Sequence, residues 1–141
     1  MAYVQKLPVR FQDVDYARIV YYPRLFDYCH RVFEDFFAAE VGVPYAEMLM
    51  RRKVGYPSVH AAGDFKAPLT FGDIARVEMD TVKLSTRSIT SRYRFYKNET
   101  DTLCATFEVV TVAISMDTFK PVEIPEDVRV AFLNHLVGLT V

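Results

Sequence analysis

The sequence lacks the signatures of most cofactor sites and of a nucleic-acid partner. Its two cysteines, Cys29 and Cys104, are too far apart to form a metal knuckle or a redox pair. Its five glycines include no phosphate-binding loop, and neither an H-E-x-x-H helix nor a G-x-S-x-G nucleophile turn occurs. A formal net charge of −1 excludes a strongly basic nucleic-acid-binding surface. We therefore expect no metal, no resident cofactor and no nucleic acid.

Long apolar runs are also missing. No run approaches the ~20 residues that cross a bilayer, and the first ten residues have no basic region followed by an apolar segment. We expect a cytoplasmic protein that does not bind membranes, with both thiols buried and reduced. The 141 residues, 51% of them hydrophobic, predict one domain over 1–141.

The hydrophobic pattern predicts an α+β protein. Apolar residues three and four positions apart indicate a long helix from Tyr22 to about Glu40, which Pro23 opens and Gly42 ends. Alternation and turn residues predict a strand at 3–11, a helix at 45–53, strands at 58–66, 75–82, 89–96 and 103–115, and a helix at 125–137. The alternation slips near Val82, which predicts a β-bulge, and 98–101 reads as a hairpin turn. The phenylalanines of the long helix must be buried against another element, so we expect one antiparallel sheet to curve around the helix.

The stretch that carries chemistry runs from Arg10 to Leu25, RFQDVDYARIVYYPRL. Asp13 and Asp15 stand two residues apart in a short polar break between the first strand and the long helix. Pro23 fits the first turn of that helix, so an acidic side chain lies just upstream of a helix N-terminus. Free backbone N–H groups and the positive end of the helix dipole can stabilise an oxyanion there. A carboxylate facing such a site fits hydrolysis at a carbonyl, although aspartates before a helix are also common caps and turn formers.

This stretch resembles the signature of the hotdog-fold acyl-CoA thioesterases, in particular the 4-hydroxybenzoyl-CoA thioesterase group. The matching residues are Phe11, Asp13, Asp15, Ala17, Ile19, Val20, Tyr21, Tyr22 and Pro23. The resemblance implies the hotdog fold over nearly the whole chain and hydrolysis of an acyl-CoA to the free acid and CoA. It assigns the catalytic carboxylate to Asp15, and it assigns polarisation of the thioester carbonyl to the backbone N–H of Tyr22. Asp15 would either attack the carbonyl or deprotonate a water, while Asp13 is left with a structural role.

Several positions depart from the family pattern. Val14 replaces a threonine or cysteine, Leu25 replaces an aromatic residue, and Arg18 stands where a glycine is expected. A glycine there permits an unusual φ and a close approach of the substrate to the backbone, so Arg18 either obstructs the channel or meets a CoA phosphate. His30 occupies a position that is often acidic in relatives. Three roles stay open for it: general base, orienting partner of Asp15, or core residue.

Side chains must hold the substrate, because no phosphate loop is present. The candidates for substrate contact are Arg18, Tyr21, Pro23, His60, Arg87 and Arg92, with Lys66 and Arg94 as further cations for CoA. Each of these cations is equally compatible with a solvated strand face. The tyrosines around the long helix either shape an aromatic or medium-chain acyl pocket or pack with a tethered hydroxyl; they are Tyr21, Tyr22, Tyr28, Tyr45 and Tyr56. His135 is expected at the surface.

A chain of this size is small for an enzyme that encloses a CoA ester. We therefore expect a homodimer or homotetramer whose sites are shared between subunits. Two alternatives keep the fold: a thioesterase acting on acyl carrier protein, and a non-catalytic acyl-binding or dimerisation module in which Arg18 has removed hydrolysis. A hotdog dehydratase is disfavoured, because no histidine followed by an apolar-proline-glycine turn precedes the helix.

Overall fold

A long helix lies against one face of a five-stranded antiparallel sheet. The computed structural model describes residues 1–137. The helices are α1 (Tyr22–Phe36), α2 (Tyr45–Met50) and α3 (Glu126–Leu133). The strands are β1 (Tyr3–Pro8), β2 (Val54–Gly55), β3 (Ser58–Phe65), β4 (Ile74–Leu84), β5 (Ser88–Lys97), β6 (Thr102–Val112) and β7 (Ile114–Ser115). A 3₁₀ turn at Phe11–Asp13 precedes α1, and a π-helical turn at Phe37–Val41 follows it.

The large sheet has the strand order β1-β4-β5-β6-β3, and each neighbouring pair is antiparallel. β1 and β3 are therefore its edges, while β2 and β7 pair with each other in a separate small sheet. The register of β4 against β5 shifts between Thr81 and Lys83, which confirms the bulge predicted near Val82. The hairpin turn predicted at 98–101 is confirmed as well.

The core forms between α1 and the inner face of the sheet. The buried residues of α1 recur at three and four positions: Leu25, Tyr28, Cys29, Val32, Phe33 and Phe36. Phe26 packs edge-on against Phe107 of β6 with 4.8 Å between ring centroids, and Tyr28 stacks on Phe95 of β5 at 6.3 Å. Burying one such ring contributes about 1.5–3 kcal/mol. The predicted α+β architecture, one antiparallel sheet around a long helix, is confirmed, and both cysteines are buried free thiols as expected.

The first strand is shorter than predicted. β1 ends at Pro8 rather than at Phe11. The Asp13 carboxylate accepts a hydrogen bond from the Arg10 amide at 2.9 Å, and residues 11–13 fold into the 3₁₀ turn. A local side-chain contact has therefore replaced the strand ladder at this point.

Other helices and strands also end at residues different from those predicted. The long helix turns π-helical at Phe37 and is ended by Gly42, whose φ is 83°. The segment predicted as one strand over 103–115 breaks after Val112, because Ile114 and Ser115 pair with the distant β2. The helices predicted at 45–53 and 125–137 end earlier, as α2 and α3 do.

His135 is half-buried, whereas the prediction placed it at the surface. Its Nε2 lies 2.8 Å from a carboxylate oxygen of Glu40, and its Nδ1 lies 2.7 Å from the carbonyl oxygen of Met1. The side chain is 14% exposed, and its ring centroid is 5.4 Å from that of Phe36. His135 therefore links the segment after α3 to the π-helical turn and to Met1.

Two expectations concern the chain as a whole. Within residues 1–137, every helix is too short or too polar to cross a bilayer. The boundary of one domain at 141 stays a prediction, because residues 138–141 lie outside the described part of the chain.

Candidate functional site

A three-residue hairpin loop shapes the sequence motif. Val14 pairs with Val20. The Asp15 amide donates to the Ile19 carbonyl at 3.1 Å, and the Arg18 amide donates to the Asp15 carbonyl at 2.9 Å. Such loops place a left-handed residue third, and Arg18 fills that position with a φ of 70°. The unusual φ expected at this position is therefore present, although an arginine adopts it.

The Asp15 carboxylate is exposed at the start of this loop. Its Oδ1 accepts a hydrogen bond from the Ala17 amide at 2.8 Å, as in an Asx turn. No protein donor within residues 1–137 hydrogen-bonds to its Oδ2. One oxygen thus holds the loop, and the other is available to a substrate or a water.

A free backbone N–H lies at the start of α1. Pro23 has no N–H, and the Arg24 amide donates to the Tyr21 carbonyl at 2.8 Å. The Tyr22 amide has no acceptor within the described part of the chain. It sits at the positive end of the helix dipole and can therefore donate to a negatively charged oxygen.

Asp13 lies buried between the loop and the helix, with 1% of its surface exposed. Its Oδ2 accepts hydrogen bonds from the Arg10 amide and from the hydroxyl of Tyr28, two turns into α1. Its carbonyl accepts from the Tyr21 amide at 2.9 Å. Burial, and secondly the Asp13 hydrogen bond, raise the pKa of Tyr28 well above its usual range. The geometry fits the structural role expected for Asp13.

Three hollows surround this region. A cleft of about 590 Å³ is lined by Phe11, Val14, Asp15, Tyr16 and Arg18. A mainly apolar hollow of about 480 Å³ lies between the start of α1 and the end of β3; its lining includes Tyr22, Leu25, Phe65 and Lys66. A third, of about 220 Å³, lies under α1 against β3, β5 and β6; its lining includes Phe26, Cys29, His30, Ala61 and Tyr93. The first two hollows flank the loop and the free amide.

The predicted aromatic and histidine residues divide between the site and the packing. Tyr21 and Tyr22 are exposed, and their ring centroids are 5.6 Å apart. His30 is exposed at the rim of the hollow under α1, about 12 Å along the helix from Tyr22, and has no hydrogen bond to Asp15. It is therefore not the core residue that one interpretation favoured. Tyr28, Tyr45 and Tyr56 pack in the core or at its margin.

The predicted cations are spread over the molecule. Arg92 and Arg94 lie on the outer face of the sheet, where both pair with the buried Asp80 at 2.8 and 3.0 Å. Arg87 lies in the turn between β4 and β5. That turn is at the opposite end of β5 from the 98–101 turn, about 30 Å away along the strand. Arg18 lines the cleft beside Asp15 and has no ion pair within residues 1–137.

The sequence analysis missed two features of the site. Phe65, at the end of β3, is 6.0 Å from Tyr22 between ring centroids and shapes the hollow beside the free amide. The contact of Tyr28 with Asp13 joins residues 15 positions apart. An exposed aromatic at a strand end was a weak signal for the first, and local pattern gave none for the second.

A sequence profile of the thioesterase-like superfamily matches residues 9–132, which include the loop, α1 and the whole large sheet after β1. The chain belongs to the thioesterase-like superfamily.

Curated relatives support this membership. A 1,4-dihydroxy-2-naphthoyl-CoA hydrolase of Picosynechococcus sp. is 30% identical over 72% of this chain and 68% of that protein. A protein of the same name from Thermosynechococcus vestitus is 30% identical over 91% of this chain and 81% of that protein. Two more, from Prochlorococcus marinus and Nostoc punctiforme, are matched over 64% and 62% of their own length.

Solved structures of thioesterases superpose on this chain. A gentisyl-coenzyme A thioesterase is 30% identical with a TM-score of 0.80, covering 90% of this chain and 99% of that one. A 1,4-dihydroxy-2-naphthoyl-CoA thioesterase from Synechocystis is 23% identical with a TM-score of 0.87, covering 95% and 97%, and supports the fold alone. The predicted hotdog fold and the prediction of a thioester hydrolase are confirmed at the level of the superfamily.

Proposed function

We propose that this chain hydrolyses an aromatic acyl-CoA to the free acid and CoA, with Asp15 as the catalytic carboxylate. The proposal is supported by two available groups at neighbouring positions: an Asp15 carboxylate oxygen without a donor, and a Tyr22 amide without an acceptor, within residues 1–137. Both groups lie on short segments that backbone hydrogen bonds fix to the start of α1. A thioester carbonyl carbon would meet the carboxylate while its oxygen accepts from the Tyr22 amide.

Two routes are compatible with this arrangement. In the first, Asp15 Oδ2 attacks the carbonyl carbon, the C–S bond breaks, and CoA leaves as a thiolate that takes a proton from solvent. Water then hydrolyses the resulting mixed anhydride and restores the carboxylate. In the second, Asp15 takes a proton from a water that attacks the carbonyl, and the same C–S bond breaks. In both, the Tyr22 amide and the helix dipole stabilise the negative charge on the carbonyl oxygen. The reaction needs no cofactor besides the CoA of the substrate.

The acyl group is proposed to lie along α1 in the hollow of about 220 Å³. Phe26 and Cys29 follow Tyr22 by about 6 and 10 Å along the helix axis, which is the span of a substituted aromatic ring. An apolar cavity of about 150 Å³ is enough to hold benzene. The exposed His30 at the rim would meet a polar substituent of such a ring. Relatives named for naphthoyl and gentisyl thioesters favour an aromatic acyl group over an aliphatic one.

Arg18 is proposed to contact a phosphate of CoA. Its backbone adopts the left-handed conformation that the loop requires, so the arginine has not distorted the loop that carries Asp15. Its side chain is exposed beside the cleft of about 590 Å³. This arrangement weighs against the alternative of a module whose hydrolysis Arg18 has removed. Acyl carrier protein remains a second possible thiol carrier, and the assay below separates it from CoA.

We further propose that two copies pair through β3 and share their sites. β3 is an edge strand exposed on both faces, and such an edge carries unpaired backbone groups. Antiparallel pairing with a second copy would bring the Ser58 end of the partner strand to the Phe65 end of this one. His60 lies near the Ser58 end of β3, and Arg87 lies near the end of β6 that pairs with it. Both would then approach the Asp15 loop of the other subunit.

The experiment is thiol release from aromatic and aliphatic acyl-CoAs, and from the same acyl groups on a carrier protein. Wild type is compared with Asp15→Asn, since asparagine can still accept from the Ala17 amide and so keeps the loop. Asp117→Asn, in an exposed turn, is the matched control. We expect release by wild type and the control, fastest with aromatic CoA esters, and near-complete loss in Asp15→Asn. Full activity of Asp15→Asn would refute the assignment of Asp15 as the catalytic carboxylate. Thiol release from the carrier-protein esters alone would mean that the substrate is an acyl carrier protein thioester and not an acyl-CoA.

A further inference from the structure

We propose that Tyr28 is a positioning residue that sets the distance between Asp15 and the Tyr22 amide through its hydrogen bond to Asp13. The inference rests on the proposed function, because it concerns the geometry of the same site. Tyr28 itself is fully buried and touches no substrate hollow that flanks the loop. Its effect on the reaction therefore has to pass through Asp13.

Asp13 is the junction between the two reacting groups. Its Oδ2 receives the Tyr28 hydroxyl and the Arg10 amide, and its carbonyl oxygen receives the Tyr21 amide. Asp15 follows two residues after this junction, and Tyr22 follows directly after Tyr21. A displacement of Asp13 would therefore move the carboxylate and the oxyanion donor relative to each other.

The position of the Tyr28 hydroxyl is fixed by rigid packing. The ring is 0% exposed and stacks on Phe95 with an interplanar angle of 23°. The Arg31 guanidinium carbon lies over the ring, 5.4 Å from its centroid. Phe95 lies on β5 at the centre of the sheet. The Tyr28 hydroxyl therefore fixes the position of the loop relative to the sheet as well as to α1.

Asp13 depends on this hydroxyl more than an ordinary buried carboxylate would. Its Oδ1 is buried and has no hydrogen-bond partner within residues 1–137. Removing the hydroxyl would leave the carboxylate with the Arg10 amide as its one remaining donor. A buried carboxylate with so few donors carries an uncompensated desolvation cost, so it moves towards water or towards another donor. Either response changes the loop that carries Asp15.

The test compares Tyr28→Phe with Tyr56→Phe. Tyr56 is a matched control because it is 4% exposed and its hydroxyl is buried without a partner in the described part of the chain. We expect Tyr28→Phe to lower kcat by about 10- to 100-fold, as small misplacements of reacting groups do. KM should change by less than about threefold, since CoA contacts are elsewhere. Equal kcat in the two variants, or a rise in KM at constant kcat, would overturn the proposal.

A double-mutant cycle with Asp13→Asn tests whether the two residues act through one hydrogen bond. If they do, Tyr28→Phe combined with Asp13→Asn loses no more kcat than the worse single variant. Losses that multiply would mean that Tyr28 acts by another path, and would overturn the proposal.

Amide hydrogen exchange gives a readout that needs no substrate. In Tyr28→Phe we expect faster exchange at Arg10 and Tyr21, whose amides donate to Asp13, and unchanged exchange in β5. Unchanged exchange at those two amides would refute the positioning role. If wild type releases no thiol from any ester, the proposed function fails, and the exchange result still decides whether Tyr28 holds the loop.

Discussion

Replacing Arg18 by glycine separates the two roles assigned to this residue. Its backbone occupies the left-handed position of the loop with a φ of 70°, and its side chain lies in the cleft beside Asp15. Glycine adopts the left-handed backbone conformation without steric cost, and it removes the side chain from the cleft. We therefore expect Arg18→Gly to raise stability and, at the same time, to raise KM.

The magnitudes follow from these two features. A non-glycine residue in the left-handed region costs about 1–2 kcal/mol, whereas the greater freedom of glycine in the unfolded chain costs about 0.5–1 kcal/mol. The net gain is about 0.5 kcal/mol, or roughly 1–2 °C in Tm for a chain of this length. Loss of an exposed ion pair with a phosphate costs up to about 1 kcal/mol, which is a rise in KM of up to about fivefold.

The assay is urea unfolding combined with steady-state kinetics for Arg18→Gly, Arg18→Ala and Arg18→Lys. Alanine keeps the backbone strain and loses the charge, so it should raise KM as glycine does without the gain in stability. Lysine should keep KM close to the wild-type value and become more sensitive to salt. If alanine stabilised the protein as much as glycine, the backbone argument would fail. If KM fell in Arg18→Gly, the side chain would be an obstruction and the phosphate contact would be refuted.

Two further predictions concern β3 and an ion pair at α3. The Lys66 amide donates to Cys104 of β6, and N–H directions alternate along a strand, so the Ala61 amide points away from β6. Proline at position 61 has no N–H to donate to a second copy of β3, so Ala61→Pro should halve the mass measured by sedimentation. Ala61→Ser keeps the N–H and should keep the dimer. An unchanged mass for Ala61→Pro would rule out pairing through β3. The Arg52 hydrogen bond lowers the pKa of Asp127 in the folded protein. A carboxyl whose pKa is lower in the folded state stabilises the fold above its unfolded pKa, and this stabilisation is lost as the pH falls through the folded pKa. Arg52→Ala should therefore lower Tm at neutral pH and approach the wild-type Tm as the pH falls through the folded pKa of Asp127. Because the Asp127 side chain is 42% exposed, the loss of stability should stay below about 1 kcal/mol. A Tm difference independent of pH would contradict the reasoning.

The loop that carries Asp15 shows how far local pattern reaches. The D-x-D spacing, the proline and the expected glycine position predicted a short connection into α1. The hydrogen bonds within residues 13–21 join positions no more than eight apart, and one bond from this segment, from the Val20 amide to the Leu69 carbonyl, reaches a distant part of the chain. Turn conformations depend on such near neighbours, so sequence alone could locate this loop. The start of α1 was predictable for the same reason, because a proline fixes the first turn.

The residues that were predicted to contact substrate show what local pattern leaves undecided. Arg87 and Arg92 carry the same charge as Arg18, yet one lies in a distant turn and the other pairs with Asp80 on the outer face of the sheet. Alternation along β5 identifies two faces, but it does not say which of them meets α1. That choice depends on how strands far apart in the chain pair.

The sequence by itself determined the helix that anchors the site, the strands around it and the loop between them, because periodicity and turn chemistry act over a few residues. The tertiary structure decided which side chains meet across the fold. Tyr28 reaches Asp13 over 15 positions, and His135 reaches Glu40 over 95. Contacts of that kind follow from the path of the whole chain around the sheet, and no local pattern encodes them.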